Sequence, residues 1–270
     1  MGMLRVSGVT KIYPGHSDAD EPVRALDGVS FTVKDDEFCS IVGHSGCGKT
    51  TLLNIMAGFD EATEGSITLD GRSTDTPGWE RAMIFQDYAL FPWHTVLGNV
   101  SFGLEMKKVP KQERRAIAMR HIQLVGLGGF ENRFPHQLSG GMRQRVAIAR
   151  ALAVEPHALL MDEPFAALDA QNRSMLQDEM VRIFMEERKT MVLVTHSIEE
   201  AVKLSDRIIV MTRRPGRVKA DIEVALPRPR SEDDPQFVAL KARIRDLIHD
   251  EFDLADVPAA AAAAAQRAAA

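Results

Sequence analysis

The sequence predicts an α/β fold with a mainly parallel β-sheet at its core. Apolar runs at residues 38–42, 158–161 and 191–194 are typical of strands buried on both faces of such a sheet. Helical patterns separate the later runs, which indicates βαβ units with right-handed crossovers. From about residue 96 to 154, strand alternation nearly disappears and helical patterns dominate. We therefore predict a sheet core that carries an inserted helical subdomain.

The residues before this subdomain predict a smaller antiparallel β subdomain. Residues 29–33 alternate between apolar and polar, the pattern of a half-buried strand. Asp70-Gly71 follows a second alternating run and is a strong hairpin signal. The predicted elements are strands at 4–9, 29–33, 66–69 and 82–85, a polar loop at 16–22 and a helix at 51–57.

The later elements are mostly helices bounded by proline and glycine. Pro110 opens a charged amphipathic helix that Gly126 closes. The Pro-Arg-Pro-Arg segment at 227–230 breaks the chain before a last amphipathic helix, which we expect to pack on the core. An Ala-rich tail at 259–270 is of low complexity, and we assign it no function. The predicted elements are helices at 112–125, 139–151, 170–187, 198–204 and 237–248, with strands at 208–211 and 217–224.

Composition excludes some classes of protein. A chain of 270 residues with 45% hydrophobic and 26% charged residues can bury a substantial core. Its net charge of −5 argues against a general nucleic-acid binder, so we expect no nucleic-acid partner. Cys39 and Cys47 lie too close together for a disulfide framework, which fits a reducing cytosol. We find no signal peptide and no apolar run long enough to span a bilayer.

Residues 43–51 fit the pattern of a phosphate-binding loop, with Gly43, Gly48, Lys49 and Thr50 at the required spacing. A predicted strand precedes the loop and a predicted helix follows it. The glycines let backbone N–H groups close around phosphate oxygens, and the helix points its positive end at the anion. Lys49 would reach the terminal phosphates, and the Thr50 hydroxyl would ligate Mg²⁺. A plain Gly-rich turn would not need Lys-Thr at this offset.

Two acids end the buried strand at 158–161. Asp162 and Glu163 would therefore lie at the carboxyl edge of the sheet, where ligands bind in such folds. Asp162 would hold Mg²⁺ through water, and Glu163 would be the general base that orients the attacking water. The alternative is a solvated strand end with two surface acids, but the phosphate loop already requires a Mg²⁺ partner.

A third motif, Leu-Ser-Gly-Gly at 138–141, opens a helix. In isolation Ser139 is an ordinary N-cap. The same geometry offers N–H groups and a hydroxyl to another phosphate. The functional interpretation is favoured because this motif, the phosphate loop and the Asp-Glu pair occur together and in order.

Together the three motifs resemble the nucleotide-binding subunit of ATP-binding-cassette (ABC) transporters, over residues 4–216. The resemblance implies a P-loop NTPase (RecA-like) core, with ATP and Mg²⁺ as cofactors. In that family two subunits pack head to tail, and each ATP lies between one subunit's phosphate loop and the other's Leu-Ser-Gly-Gly motif. The resemblance therefore implies a homodimer with two composite ATPase sites.

The same resemblance implies roles for further residues. Tyr13 would stack on adenine, although an ordinary loop aromatic is the alternative. Gln86 would contact Mg²⁺ and relay the state of the site, His196 would contact the γ-phosphate, and residues 167–169 would touch the partner subunit. The implied catalytic residues are Lys49, Gln86, Glu163 and His196, and the implied metal-binding residues are Thr50, Gln86 and Asp162. The implied nucleotide-binding residues are Tyr13, Gly43, His44, Ser45, Gly46, Cys47, Gly48, Lys49, Thr50, Thr51, Ser139, Gly140 and Gly141.

The chain departs from the family pattern at two positions. Met142 replaces the Gln that often ends the third motif, and Ala166 stands where Ser is common. Ser139 and the glycines after it are intact, so these departures concern fine contacts rather than the site.

Residues 87–96 and 212–217 look like those of importer ATPases for nitrate, taurine and aliphatic sulfonates. That resemblance implies integral-membrane permease subunits as partners and an extracytoplasmic solute-binding protein as an indirect partner. The chain would lie peripherally on the cytoplasmic face of the inner membrane. The aromatic, Pro-containing loop at 87–96 would offer an apolar surface to a permease helix, and a small satellite core is its alternative. A soluble ABC ATPase without a transport role is the alternative function.

The predicted divisions follow from these motifs. They are an ATP-binding core with antiparallel strands at 1–86, a helical subdomain at 87–155, the remainder of the core at 156–226, a C-terminal helical extension at 227–257 and an Ala-rich tail at 258–270.

The position of Cys47 in the phosphate loop suggests a further hypothesis about the reactivity of its thiol. A thiol at the positive end of a helix tends to have a lowered pKa, so Cys47 is predicted to be alkylated with loss of ATP binding. An inert small residue in a loop is the alternative.

Overall fold

The computed structural model describes residues 2–15 and 21–255. It confirms the predicted fold class, because a mainly parallel sheet forms the core and a separate antiparallel sheet flanks it. Most of the predicted polar loop at 16–22 and all of the Ala-rich tail lie outside the described residues.

The elements follow one another in the predicted order. The strands are β1 (Leu4–Tyr13), β2 (Val23–Val33), β3 (Phe38–Val42), β4 (Glu64–Leu69), β5 (Arg72–Ser73), β6 (Arg81–Ile84), β7 (Ala158–Asp162), β8 (Thr190–Thr195), β9 (Arg207–Met211) and β10 (Val218–Glu223). The helices are α1 (Lys49–Ala57), α2 (Val96–Met106), α3 (Lys111–Leu124), α4 (Gly140–Ala153), α5 (Ala170–Glu187), α6 (Ile198–Leu204) and α7 (Pro235–Ala255). Within the described ranges, no helix has the length and hydropathy that a bilayer span requires.

The parallel sheet has the strand order β10-β9-β3-β8-β7-β6 across the described chain. β10 is antiparallel to β9, which confirms the predicted edge strand. Side chains of the central strands alternate between two hydrophobic clusters, one on each face of the sheet. On β7, Leu159 and Met161 face the cluster that contains α2, α4 and α5, whereas Ala158 and Leu160 face α1 and the antiparallel sheet.

The antiparallel sheet has the order β2-β1-β4-β5 in the described residues, and its first strands are longer than predicted. β1 and β2 stay paired from Leu4 and Val33 to Tyr13 and Val23. The register shifts along this pair, and Gly8 and Gly28 lie there with φ of 61° and 63°. Such irregularities interrupt the alternating pattern while pairing continues.

Between β6 and β7 the chain forms the predicted helical segment. The sequence pattern did not locate α2 individually. The buried side chain of Asn99 on α2 binds the preceding aromatic loop: it accepts from the Phe91 N–H at 2.9 Å and donates to the carbonyls of Phe91 and His94, each at 3.1 Å. This loop is therefore held rigidly against α2.

The segment at 227–230 binds the C-terminal end of α6 as well as interrupting the regular structure of the chain. Arg230 donates to the carbonyls of Val202 and Ser205, each at 2.6 Å, where α6 ends. Burial lowers the pKa of Arg230 to about 10. α7 then packs on the core through Phe237 and Ile244, which are fully or almost fully buried. The predicted packing of the C-terminal helix is confirmed.

Candidate functional site

Residues with predicted chemical roles converge at one edge of the parallel sheet. β8 lies between β3 and β7, and these strands run parallel. The predicted phosphate loop follows β3, His196 follows β8, Asp162 ends β7 and Glu163 comes directly after it. All of them meet at the carboxyl edge, where open α/β sheets bind ligands.

The loop at 43–51 has the backbone that close approach to an anion requires. Gly46 and Gly48 have φ of 76° and 100°, a region that disfavours other residues. A Cβ on Gly48 would lie 2.7 Å from Leu26 Cδ2 and 2.9 Å from the Ala25 carbonyl oxygen. Gly48 caps α1 without a side chain, so the first amides of the helix remain available to an anion.

Lys49 is buried within this loop. Its Nζ donates to the carbonyl oxygens of Gly43 and His44, each at 2.8 Å. The loop thus holds a cation at the start of a helix, and both features favour a phosphate group.

A cavity of about 220 Å³ opens over the loop. Val23, Ala25 and Arg214 belong to its lining, although sequence reasoning gave them no role there. They come from β2 and from the turn after β9, and no local pattern marks them as neighbours of the loop. The cavity is lined by Tyr13, Val23, Ala25, Ser45, Gly46, Gly48, Lys49, Thr50, Thr51, Glu163 and Arg214.

Thr50 and Asp162 form a pair of oxygen donors. The Thr50 hydroxyl donates to Asp162 Oδ1 at 3.2 Å. Burial raises the pKa of Asp162 above its ordinary value. A hydroxyl and a half-buried carboxylate suit Mg²⁺, which binds through one or two protein oxygens together with phosphates and waters. The residues present therefore fit the predicted metal, and the metal charge would favour the ionised carboxylate.

Glu163 and His196 form a second pair. His196 Nδ1 lies 3.1 Å from Glu163 Oε2. Glu163 has a φ of +45°, and its N–H donates to the Val194 carbonyl at 2.9 Å. Non-glycine residues in this region are strained and occur often at functional sites. The backbone thus directs the Glu163 carboxylate into the cavity beside His196.

Tyr13 lines the cavity at the end of β1. Its hydroxyl donates to Asp60 Oδ2 at 2.8 Å, and Lys11 Nζ lies 4.9 Å from the centre of its ring. Burial raises the pKa of Tyr13. Asp60 and Lys11 therefore position a predicted adenine-stacking residue. Sequence reasoning missed both: Asp60 is distant in sequence from β1, and nothing in the sequence marks Lys11 as a partner of the Tyr13 ring.

Gln86 and the segment at 139–141 are not among the described residues that line this cavity. Gln86 is exposed just beyond the end of β6, the neighbour of β7 in the sheet. Ser139 is exposed at the N-terminus of α4, where its hydroxyl accepts from the Met142 N–H at 3.3 Å. One copy of the chain therefore brings together the phosphate loop, Glu163 and Tyr13, but not Ser139.

The expectation that the pKa of Cys47 is lowered is wrong. Its side chain is 1% exposed, and Sγ lies beneath the loop, 2.9 Å from where a Cβ on Gly43 would stand. Burial raises the pKa of Cys47, although Lys49 Nζ lies 3.9 Å from the sulfur. The loss of hydration outweighs the helix and the lysine because the thiol faces the interior rather than the anion site.

A separate apolar groove of about 530 Å³ lies between the core and the helical segment. Phe59 and Phe85 stack at a centroid distance of 6.0 Å on the core side, and Phe91 and Phe102 approach to 4.4 Å on the other. The groove is lined by Phe59, Trp79, Ala82, Met83, Phe85, Ala89, Phe91, Phe102, Gly103, Met106, Arg150, Ala151 and Val154.

Comparison with known sequences finds relatives among ABC transporter ATP-binding proteins. The profile of the ABC transporter family matches residues 26–166. An uncharacterized ABC transporter ATP-binding protein of Methanocaldococcus jannaschii is 51% identical over 92% of each chain. The taurine import ATP-binding protein TauB of Rhizobium johnstonii is 46% identical over 86% of this chain and 92% of its own. The bicarbonate transport ATP-binding protein CmpC of Synechococcus elongatus is 48% identical over 89% of this chain, which spans only 37% of CmpC.

Solved structures show the same fold. The ATP-binding cassette MJ0796, a dimer in a post-hydrolysis state with ADP and phosphate, has a TM-score of 0.72 and 34% identity. The match covers 83% of this chain and all of that one. The protein cbiO1 of Clostridium perfringens, part of the ABC transporter complex cbiONQ, has a TM-score of 0.73 and 29% identity over 90% of this chain and 94% of its own.

Proposed function

Because the chain belongs to the family of ABC transporter ATP-binding proteins, we propose that it is the ATP-hydrolysing subunit of an importer for a small anion. The observation that carries this proposal is the carboxyl edge at which the phosphate loop, the Thr50–Asp162 pair and the Glu163–His196 pair converge. These are the groups that binding and hydrolysis of a nucleoside triphosphate require.

The protein's part in hydrolysis is to position water and to stabilise charge. Glu163 orients the attacking water and takes its proton as the water oxygen bonds to the γ-phosphorus and the bond to the ADP oxygen breaks. His196 contacts the γ-phosphate and holds Glu163 through the 3.1 Å pair. Lys49 and the loop amides neutralise charge that develops on the phosphates. A magnesium ion would be held by Thr50 and Asp162 and would supply further positive charge to the phosphates.

The active unit is a homodimer with two composite sites. Ser139 and the amides at the start of α4 are exposed and absent from the described lining of the phosphate-loop cavity. In a head-to-tail dimer, the copy opposite would bring these groups to the nucleotide. The dimer of the related cassette MJ0796 with ADP and phosphate supports this arrangement. Exposed Gln86, at the same sheet edge, would contact the site once nucleotide and metal are bound.

The apolar groove is the docking surface for a permease. It lies next to the rigid aromatic loop and takes a short amphipathic helix by the chemistry of helix-in-groove recognition. The chain would then lie peripherally on the cytoplasmic face of the inner membrane, and a solute-binding protein would act on the other side. Membership of cbiO1 in a transporter complex supports a membrane partner.

The candidate solutes are nitrate, bicarbonate, taurine and aliphatic sulfonates. The sequence similarity at 87–96 and 212–217 supports nitrate, taurine and sulfonates. The names of the relatives CmpC and TauB support bicarbonate and taurine.

Purification from the native membrane followed by reconstitution into liposomes tests the proposal. We expect a polytopic membrane protein to co-purify. When the solute-binding protein is supplied on the opposite side of the membrane, ATP should drive uptake of one of these radiolabelled solutes. Liposomes with Glu163→Gln provide the matched control and should show no uptake. ATP hydrolysis by a chain that captures no membrane protein would instead favour the soluble ABC ATPase.

A further inference from the structure

Arg214 occupies an unexpected place beside the phosphate loop. Its side chain lines the cavity together with Ser45, Gly46 and Lys49. Arg214 Nη2 lies 3.8 Å from where a Cβ on Gly46 would stand. The guanidinium thus approaches the middle of the loop from β9, which lies on the other side of β3 from β7 and Asp162.

The guanidinium of Arg214 has no protein partner within the described ranges, unlike its neighbours. Arg217 donates through Nε to Asp27 Oδ2 at 2.8 Å, and Arg213 also has an interaction partner. Arg214 makes no hydrogen bond or ion pair with any described residue, and it faces the cavity and solvent. A cation in this position is available to a ligand in the cavity.

The turn that carries Arg214 is fixed to the phosphate loop. Thr212 closes the turn, because its hydroxyl accepts from the Arg217 N–H at 2.9 Å. Gly216 joins the turn to β2, donating to the Ala25 carbonyl at 2.9 Å. A Cβ on Gly216 would lie only 2.2 Å from the Cys47 carbonyl oxygen, so the turn packs directly against the loop backbone. Arg214 is thereby presented by a rigid support.

The charges of the cavity favour an anion near Arg214. Among the described lining residues, Lys49 and Arg214 are the cations and Glu163 is the anion. Lys49 is buried and held by loop carbonyls, whereas Arg214 is exposed beside Gly46. A planar guanidinium suits phosphate oxygens, which it binds through two parallel hydrogen bonds.

We propose that Arg214 is a nucleotide-binding residue whose guanidinium pairs with a phosphate group of the bound nucleotide. The proposal rests on the proposed function, because it requires a nucleoside triphosphate in the cavity. It adds a second cation to the phosphate site, supplied by the turn at 212–217 instead of the loop.

Binding measurements on four proteins test this assignment. All carry Glu163→Gln to prevent turnover, and they differ in having no further change, Arg214→Ala, Arg214→Lys or Arg213→Ala. Arg213 is a stringent control for positive charge near the loop. It is the adjacent arginine of the same turn and lines a neighbouring pocket with His44, Ser45 and Gly46, but it does not line this cavity. Equilibrium titration gives the Kd of ATP, and displacement of a fluorescent ATP analogue gives the Kd of inorganic tripolyphosphate.

We expect Arg214→Ala to raise the Kd of both ATP and tripolyphosphate about tenfold, which corresponds to about 1.4 kcal/mol. Arg214→Lys should restore part of the affinity, and Arg213→Ala should leave both values unchanged. The melting temperature of Arg214→Ala should equal that of its parent, because no described residue loses a hydrogen bond or ion pair.

Other outcomes overturn the assignment. Unchanged ATP affinity in Arg214→Ala, with normal binding by the parent, would refute the contact and leave the proposed function intact. Weaker ATP binding with unchanged tripolyphosphate binding would mean that Arg214 contacts the sugar or base, not a phosphate. A parent protein that binds no ATP would refute the proposed function, and this assignment with it.

Discussion

At the residue scale, the adjacent acids Asp162 and Glu163 are both half-buried but have different partners. Glu163 lines the cavity and lies beside His196, whereas Asp162 accepts from Thr50. The first arrangement suits a base that must reach water, and the second suits a metal ligand. These surroundings therefore support the role of base for Glu163 and that of metal ligand for Asp162.

Replacement of the base tests the first role. We expect Glu163→Gln to lower turnover by about 10²–10⁴-fold, because the amide cannot accept the water proton. ATP affinity should be preserved, since Gln has nearly the same shape. Turnover is measured by phosphate release and affinity by titration, with exposed Glu113→Gln on α3 as the control. Unchanged turnover would remove Glu163 from the role of base.

The pKa of Asp162 gives a pH-dependent prediction for stability. Burial raises the pKa of Asp162 in the folded protein, so ionisation opposes folding once the pH exceeds the unfolded value of about 3.9. The nucleotide-free Asp162→Asn protein should therefore unfold at a higher temperature than wild type at neutral pH. The difference should shrink as the pH falls toward that value. Calorimetry across this pH range would contradict the account if wild type were the more stable protein at pH 7.

Some of these residues could be recognised from sequence, and others could not. The residues of the phosphate loop are contiguous in sequence, and so are Asp162 and Glu163. The spacing within each motif is therefore enough to indicate its chemistry. Asp60 meets Tyr13 only through folding, and the pKa of Cys47 depends on the direction of its side chain. Neither property is encoded in a local pattern.

At the scale of elements, α7 connects the C-terminal part of the chain with the phosphate loop. Ile244 is fully buried in the cluster that includes α6 and β9. His44 Nε2 lies 3.0 Å from the carbonyl oxygen of Ile248 on α7. The packing of this helix therefore supports one side of the loop.

Loss of packing on α7 should affect stability and nucleotide binding together. Ile244→Ala removes a buried side chain and should lower the free energy of unfolding by about 2–5 kcal/mol. ATP affinity should also fall, because the His44 contact loosens. Denaturant unfolding and ATP titration measure both effects. Val238→Ala, on an exposed position of the same helix, should change neither. Equal effects of the two substitutions would refute the packing argument.

At the apolar groove, we expect a substitution to affect binding of the partner without affecting folding or ATPase activity. Met106 is half-exposed at its edge, so Met106→Glu should leave folding and the intrinsic ATPase activity unchanged. It should prevent co-purification with the permease, because a charge opposes burial of the groove. Met185→Glu on α5 is the control, similarly exposed and outside the groove. Normal co-purification of Met106→Glu would place the permease elsewhere.

The bounds of an element were easiest to predict where the apolar residues keep one helical or strand period without interruption. The bounds of α5 and α6 agree with the sequence prediction, whereas β1 and β2 continue beyond the predicted strands. Register shifts interrupt their alternation, and backbone pairing between the two strands maintains them. The bounds of α2 were missed, because its helical pattern could not be separated from that of the surrounding segment.

At the scale of the whole molecule, the residues of the proposed site lie on two surfaces of one chain. The cavity over the phosphate loop contains the groups that bind nucleotide and position water. Ser139 is exposed elsewhere, at the start of α4. If the two surfaces meet only between copies, neither surface should hydrolyse ATP alone.

Mixing two defective variants tests this central claim most directly. Lys49→Ala disables the phosphate loop, and Ser139→Ala disables the opposing motif, so each homodimer lacks a complete site. A mixed dimer has one site with both defects and one site with none. After equal mixing, about a quarter of the wild-type sites should trap labelled ATP, since half of the dimers are mixed. Trapping no greater than that of the separate variants, at every mixing ratio, would contradict a site shared between two copies.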